Sequence, residues 1–376
     1  MNVLFIGPYR QGDGWGTAAT SYIRALSKVD AIDLAIRPIY MAKNFFSTAD
    51  ENIIEHEFNS CEEYDVVIQN VLPSYCEYSG KFKKNICLCY TETSMLGQTG
   101  WVEKLNLMDE VWVPSSQEKT NLELSGVIVK ISVVPIPIDL EEITPEQDKL
   151  SIEELDSEAF VFLFHGEFVD RKNFSAIASA FYSEFSPDEN VELLVKSGRT
   201  GADESAVSSM ITAKINSVKA RLRLYPTLDT YKKNYVISGR MPREHLLSLY
   251  ARADCFVMPS HGESWCVPAA ECMGVGTPCI VTSDTGMTEF VNDKNGWVVE
   301  SYEACPMTKE PPLPYLYTGH ERWREIAPMK LRKAMREAFE DREMQQAKSS
   351  QCLVDIKKYA IAEMSRKIEG VLECQQ

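Results

Sequence analysis

Two glutamates stand eight residues apart in MPSHGESWCVPAAEC. Glu263 lies in a polar segment after an apolar run ending near Met258, and Glu271 follows Pro268. Proline suits the first turn of a helix, where its missing N–H costs nothing. On one continuous helix the two carboxyls would be about 12 Å apart along the axis. With Glu263 in the loop and Glu271 in the first turn or so, both border one pocket at a helix N-terminus. Such an end favours anions, through its unpaired N–H groups and the helix dipole. Acids placed there make sense for a ligand that carries both hydroxyls and phosphate: carboxylates accept from the hydroxyls of a sugar or ribose, and the N–H groups meet a diphosphate. The structural alternative is that Glu263 caps the helix and Glu271 pairs with its dipole.

HGEFVDRKNF places two cations, Arg171 and Lys172, just before a helical pattern. A solvated helix start explains them poorly, because cations there oppose the dipole. Lys196 in LLVKSGR ends another apolar run and reads either as a second phosphate ligand or as a surface lysine. Of the five histidines, none forms an i, i+4 pair or lies close to a cysteine, so no metal cluster is expected. His261 lies inside the Glu263 segment and His165 follows an apolar run, whereas His56, His245 and His320 read as surface or core.

The elements that must carry these residues are legible as apolar runs alternating with amphipathic stretches. NVLFIG, DLAIRPIY, YDVVIQN, NICLCYTE, EVWVPSS and KISVVPIPID read as strands, with helices in TSYIRALSKV and QEKTNLELSG. After Asp139 an acidic, polar stretch reads as a linker, and a second series follows in FVFLFHGEF, VELLVKSG, YVISGRM, DCFVMPS, TPCIVTSD and GWVVE. Alternation of this kind signals parallel sheets covered by helices. The expected class is α/β with two Rossmann-like doubly wound domains facing a central cleft, followed by C-terminal helices. The expected boundaries are 1–150, 151–345 and a terminal helix over 346–376 packing back on the first domain. The tail from about Glu321 onward reads as helical throughout. Ligands of such sheets bind beyond the carboxyl ends of the strands.

At 376 residues with 44% hydrophobic and 25% charged side chains, the chain reads as a soluble two-domain protein. Its net charge of −16 argues against general nucleic-acid binding, which draws on Lys and Arg. No run is long enough for a membrane helix and no signal peptide is recognisable, so a cytoplasmic location with at most peripheral membrane contact is expected. Eleven cysteines lack a zinc-site spacing and read as reduced, buried thiols.

The stretch PSHGESWCVPAAECMGVGTP resembles the E-x7-E signature of retaining glycosyltransferases of the GT-B fold, glycosyltransferase family four. LLSLYARADCFVMPS, TSDTGMTEFVNDKNGWVV, FHGEFVDRKNF and VVPIPIDL fall in that family's order. The resemblance covers the second domain well and the first more loosely. It implies transfer of a hexose from a nucleotide-diphosphate sugar, UDP- or GDP-linked, to a hydroxyl of a glycan, lipid-linked or small-molecule acceptor, without a bound metal. It places Glu263 beside the donor sugar, Glu271 on the ribose hydroxyls and Lys172 on the diphosphate. Further donor contacts fall on His261, Gly262, Ser264, Trp265, Cys266 and Val267, and the nucleobase falls near Arg240 and Met241. This sequence departs from the family at Glu167, where an arginine is usual, so Arg171 is the candidate to supply that charge. Ser264 and Cys266 stand where glycine is usual and narrow the sugar pocket. Glu92, in TETSMLGQTGWVEK, stands where the family often places an acceptor-facing or catalytic group, although a histidine is commoner there; otherwise it is a helix-start acid.

The opening GPYRQGDGWGT raises a rival, a dinucleotide-binding oxidoreductase. That fold needs G-x-G-x-x-G tight against the first strand and an acid ending the second. Here PYRQ delays Gly12, Gly14 and Gly16, and DLAIRPIY offers Arg37 in place of the acid. In the glycosyltransferase reading Gly14 and Gly16 let backbone approach the donor phosphates or the acceptor, and Thr17 is expected to cap the helix. A second rival is a catalytically weak nucleotide-sugar-binding protein of the same fold, suggested by the missing arginine.

Overall fold

A computed structural model describes residues 1–41, 50–153, 155–304 and 318–373. The described residues fall into two units. The first comprises 1–140, 318–322 and 357–373, and the second 141–304 and 323–356. In the first unit the chain runs β1 (Asn2–Gly7), α1 (Gly14–Ser27), β2 (Asp33–Pro38), α2 (Glu51–Ile54), β3 (Val66–Asn70), β4 (Lys84–Leu88), α3 (Trp101–Leu105), β5 (Glu110–Val113), α4 (Ser116–Ser125) and β6 (Lys130–Val133). The six strands form one parallel sheet in the order β2-β1-β3-β4-β5-β6. Every residue of β3 and β5 is buried, as expected for strands covered on both faces.

The second unit repeats the plan with β7 (Phe160–Glu167), α5 (Phe174–Glu184), β8 (Val191–Gly198), α6 (Glu204–Leu222), β9 (Asn234–Ser238), α7 (Arg243–Arg252), β10 (Cys255–Met258), α8 (Val267–Gly274), β11 (Cys279–Thr282) and β12 (Gly296–Val299). Its parallel sheet is ordered β12-β11-β10-β7-β8-β9. A core of rings, Phe160, Phe162, Phe181, Phe185 and Phe339, meets at centroid distances of 4.8 to 6.5 Å. Burying each of Phe160, Phe162, Phe181 and Phe185 is worth about 1.5–3 kcal/mol.

Beyond this sheet the structure departs from the sequence reading. Residues from Glu321 do not open a helix. Instead β13 (Ser301–Ala304) and β14 (Trp323–Ile326) pair antiparallel, and only then do α9 (Pro328–Glu340), α10 (Arg342–Asp355) and α11 (Ile361–Glu373) follow. The acidic stretch after Leu140 packs within the second unit, where Leu150 N–H donates to Ser248 O at 2.9 Å. Residues 346–356 stay there too, because Ser349 Oγ donates to Gly276 O at 2.6 Å and Cys352 Sγ contacts Asn295 O at 3.0 Å. Residues 357–373 return to the first unit, where α11 packs on α1 and Ile138 N–H donates to Tyr359 O at 2.8 Å.

Two further expectations are corrected. Asp13, not Thr17, caps α1: its carboxylate accepts from Gly16 N–H at 2.9 Å. Thr17 is already inside the first turn, with its own N–H bonded to Asp13 O at 2.9 Å. Nor are all the cysteines reduced. Cys76 and Cys87 form a disulfide with a Cα–Cα distance of 6.3 Å, since the short turn Pro73–Tyr75 carries Cys76 back beside β4 within bridging range. Cys61, Cys89, Cys255, Cys266, Cys272, Cys279 and Cys352 are free thiols; Cys305 and Cys374 lie outside the described residues.

Candidate functional site

In the second sheet β7 is the first strand of the unit, with β8 on one side and β10 on the other. The order of strands reverses there, and the loops leaving the two strands diverge to open a crevice. The loop after β7 brings Arg171 and Lys172, and the loop after β10 brings Glu263. Lys172 Nζ lies 2.6 Å and Arg171 Nη1 3.1 Å from Glu263 Oε1. Backbone contacts lock the two loops together: Arg171 Nη1 donates to Gly262 O at 2.6 Å, His261 N–H to Arg171 O at 2.8 Å, and Asn173 Nδ2 to Pro259 O at 3.1 Å. Glu263 is buried, which pushes its carboxyl up, but the Lys172 and Arg171 charges outweigh that and hold it below the usual carboxylate range.

The loop is shaped by two backbone requirements. Gly286 N–H donates to Glu263 O at 2.7 Å, and a Cβ on Gly286 would lie 1.9 Å from Ser264 O. Only glycine tolerates that approach. Cys266, immediately before α8, has φ +84°, a conformation a side chain rarely adopts. Its thiol is pushed up to about 12 by burial, with the Glu263 charge adding to the effect.

Glu271 sits on α8, 4% exposed. Its Oε1 lies 2.7 Å from Arg243 Nη1, at the start of α7. Arg243 in turn meets Glu142 at 3.1 Å. Burial raises the Glu271 carboxyl more than Arg243 lowers it, while burial's downward pull on Arg243 is overcome by the two glutamates. Behind Glu271, Tyr250 Oη lies 2.8 Å from His165 Nδ1. Burial, then Lys196, Lys172 and Arg243, push His165 down to about 3, so the ring is neutral and surrounded by positive charge. Lys196 is buried, which lowers its ammonium, and it donates to Gly239 O.

The other sequence candidates are placed as follows. Glu167 accepts from Thr200 N–H at 3.0 Å, so the position usual for an arginine holds a tethered acid. Arg240 is exposed and Met241 half-buried, in the turn between β9 and α7. Ser264 and Trp265 are buried, and the Trp265 ring packs on Phe290 at 4.7 Å. Val267 is the first residue of α8. His261 is clamped by the β13–β14 hairpin: its ring stacks on Trp323 at 5.2 Å with 5° between planes, its Nδ1 lies 2.8 Å from Arg324 O, and Arg324 N–H donates to His261 O at 2.7 Å. In the first unit, Glu92 is half-buried with φ +60°. Gly14 opens α1 with open space beside it, whereas a Cβ on Gly16 would lie 1.8 Å from Gln11 O, so Gly16 serves the fold of its own loop. Glu142, Arg243, Tyr250, Trp323 and Arg324 were not found from sequence. Arg243 carried one signal, a cation in a first helical turn, where the dipole disfavours it.

Residues 146–307 match the family model described as glycosyl transferases group 1. A D-inositol 3-phosphate glycosyltransferase of Xylanimonas cellulosilytica is 27% identical over 213 residues, covering 54% of this chain and 47% of the relative. A UDP-Gal:alpha-D-GlcNAc-diphosphoundecaprenol alpha-1,3-galactosyltransferase of Escherichia coli is 27% identical over 180 residues, covering 46% and 42%. The chain thus spans less than half the length of these curated relatives. Among solved structures, Anabaena HepE in complex with UDP and glucose superposes with a TM-score of 0.66 at 14% identity, covering 100% of both chains. That likeness establishes the fold, GT-B.

Proposed function

Starting from a glycosyl transferases group 1 domain within a chain of GT-B fold, we propose that this protein is a retaining hexosyltransferase using a nucleotide-diphosphate sugar, with UDP as the preferred carrier. The observation that carries the reading is the meeting of Lys172, Arg171 and Glu263 at the switch point of the second sheet. Two cations there match a diphosphate, and Glu263 offers a carboxylate to the hydroxyls of the sugar attached to it. Glu271, on α8, serves the ribose. The HepE structure holds UDP and glucose, which supports a uridine donor.

In the proposed reaction the acceptor hydroxyl oxygen bonds to the anomeric carbon on the face from which the diphosphate departs. The anomeric carbon–oxygen bond to phosphate breaks, and the leaving phosphate oxygen takes the acceptor's proton. The nucleoside diphosphate is released and the anomeric configuration is kept. The largest demand on the protein is the charge growing on the diphosphate, met by Lys172 and Arg171. One carboxylate between two cations leaves the cluster net positive, which favours a diphosphate, and the Glu263 carboxylate becomes available to the sugar when phosphate takes its place beside the cations.

A thermal-shift screen of UDP, GDP and ADP sugars, followed by an assay for donor hydrolysis and transfer, tests this. A UDP-sugar raises the melting temperature, and Lys172→Ala lowers kcat by about 100-fold or more. Product anomers read by NMR report retention or inversion. A protein that binds donor yet neither hydrolyses nor transfers it to any acceptor tried is instead the nucleotide-sugar-binding protein that Glu167, in place of an arginine, favours.

A further inference from the structure

We propose that Arg243, braced by Glu142, is the positioning residue that sets Glu271 to accept hydrogen bonds from the vicinal hydroxyls of the nucleoside's ribose. The inference rests on the reading of α8 as the nucleotide-binding helix and adds to it a chain of three residues, one of them in the acidic stretch that opens the unit.

Arg243 begins α7 just after the turn from β9, and a cation in that place works against the helix dipole. Two carboxylates account for it. Arg243 Nη1 reaches Glu271 Oε1 at 2.7 Å, while Nε and Nη2 both reach Glu142 Oε2 at 3.1 Å. A guanidinium is planar and rigid, so fixing its Nε/Nη2 edge on Glu142 fixes the direction in which Nη1 points. That in turn fixes Oε1 of Glu271, and the carboxylate, which the Tyr250 hydroxyl also reaches, keeps lone pairs for a diol.

Burial alone drives Glu271 toward the protonated acid. A protonated carboxyl becomes a donor at one oxygen and loses the pure acceptor character that two adjacent hydroxyls require. Arg243 stays charged at any working pH and opposes that protonation. Its role is therefore both orientation and ionisation of an acceptor, without contact to the ligand itself.

The discriminating measurement is the affinity ratio between a nucleoside diphosphate and its 2′-deoxy form, by calorimetry on the full chain, with UDP, GDP and ADP each paired with the deoxy counterpart. Hydrogen bonds to a charged group are strong enough to give the wild type a ratio of about tenfold or more for the preferred base. Arg243→Gln brings the ratio close to one while 2′-deoxy binding persists, Glu142→Gln brings it partway down, and Arg243→Lys restores part of it. A merely structural role would weaken both ligands alike and leave the ratio intact. A wild-type ratio near one overturns the ribose reading of Glu271. A high wild-type ratio that survives Arg243→Gln and Glu142→Gln overturns the role given to Arg243. Should Arg243→Gln fail to fold, the half-exposed Glu142 variant and Arg243→Lys decide the matter.

Discussion

His165 shows how strongly the crevice is biased toward anions. Its imidazole titrates at about 3 rather than 6.5, through burial and then Lys196, Lys172 and Arg243. Between those two values the unfolded chain binds a proton that the folded chain refuses. Stability therefore falls as pH drops from 6.5 toward 3, and above 6.5 this residue contributes no slope. His165→Gln removes that share, so the gap in melting temperature between wild type and variant should change as pH falls from 7 to 4, with the variant losing less. A gap independent of pH would place the ring in a neutral state for another reason. Residues of this kind differ in how visible they are in sequence. Arg171, Lys172 and Glu263 each follow a strand directly, and parallel strands deliver such positions to one sheet edge, so their convergence could be read from order alone. Arg243 and Glu271 are 28 residues apart and Glu142 lies a further 101 away. The packing of α7 against α8 joins the first two and the acidic stretch before β7 brings in the third, and no local pattern records either meeting.

At the scale of elements, the β13–β14 hairpin is the part of the candidate site that sequence reasoning overlooked. Four-residue strands separated by a long excursion carry too little alternation to register, and the charged WREI segment merges with the helical pattern after it. Yet this hairpin grips the Glu263 loop through the His261 ring on Trp323, one backbone bond from Arg324 N–H and one contact of His261 Nδ1 with Arg324 O, and Arg324 also meets Asp284 at 2.5 Å. Trp323 is 4% exposed, so Trp323→Ala should cost about 3–5 kcal/mol and loosen the loop. Chemical denaturation gives the stability change. Nucleotide affinity should fall more for Trp323→Ala than for Trp323→Phe, which keeps a ring for His261. Equal affinity in the two variants would mean that the stack does not position the loop. By contrast the twelve sheet strands were legible because each combines an apolar run with flanking turn residues. Cys76–Cys87 was not, because its pairing depends on where a short turn lands.

For the molecule as a whole, the notable fact is that each unit is assembled from separated stretches of chain. The first unit is completed by α11, whose Ile361, Met364, Ile368 and Leu372 are buried and which packs on α1. Covering four such side chains is worth about 6–12 kcal/mol as an upper limit. A chain stopped after residue 356 should lose amide protection across α1 and β2 in hydrogen exchange, while β7, β8 and α5 of the second unit keep theirs and a nucleoside diphosphate still protects them. Protection lost equally from both units would show that they unfold as one.

The same returning segments dictate an order of events during translation. The strands of the first sheet leave the ribosome first, but the helix that covers α1 is not made until after residue 360. The second unit, begun later, has its last stretch by residue 356. At about 5–20 residues per second, the interval between residues 140 and 357 lasts roughly 10–45 s. Over that time the nascent first unit carries an uncovered apolar helix face, and the half of the protein that is started first is the half that is finished last.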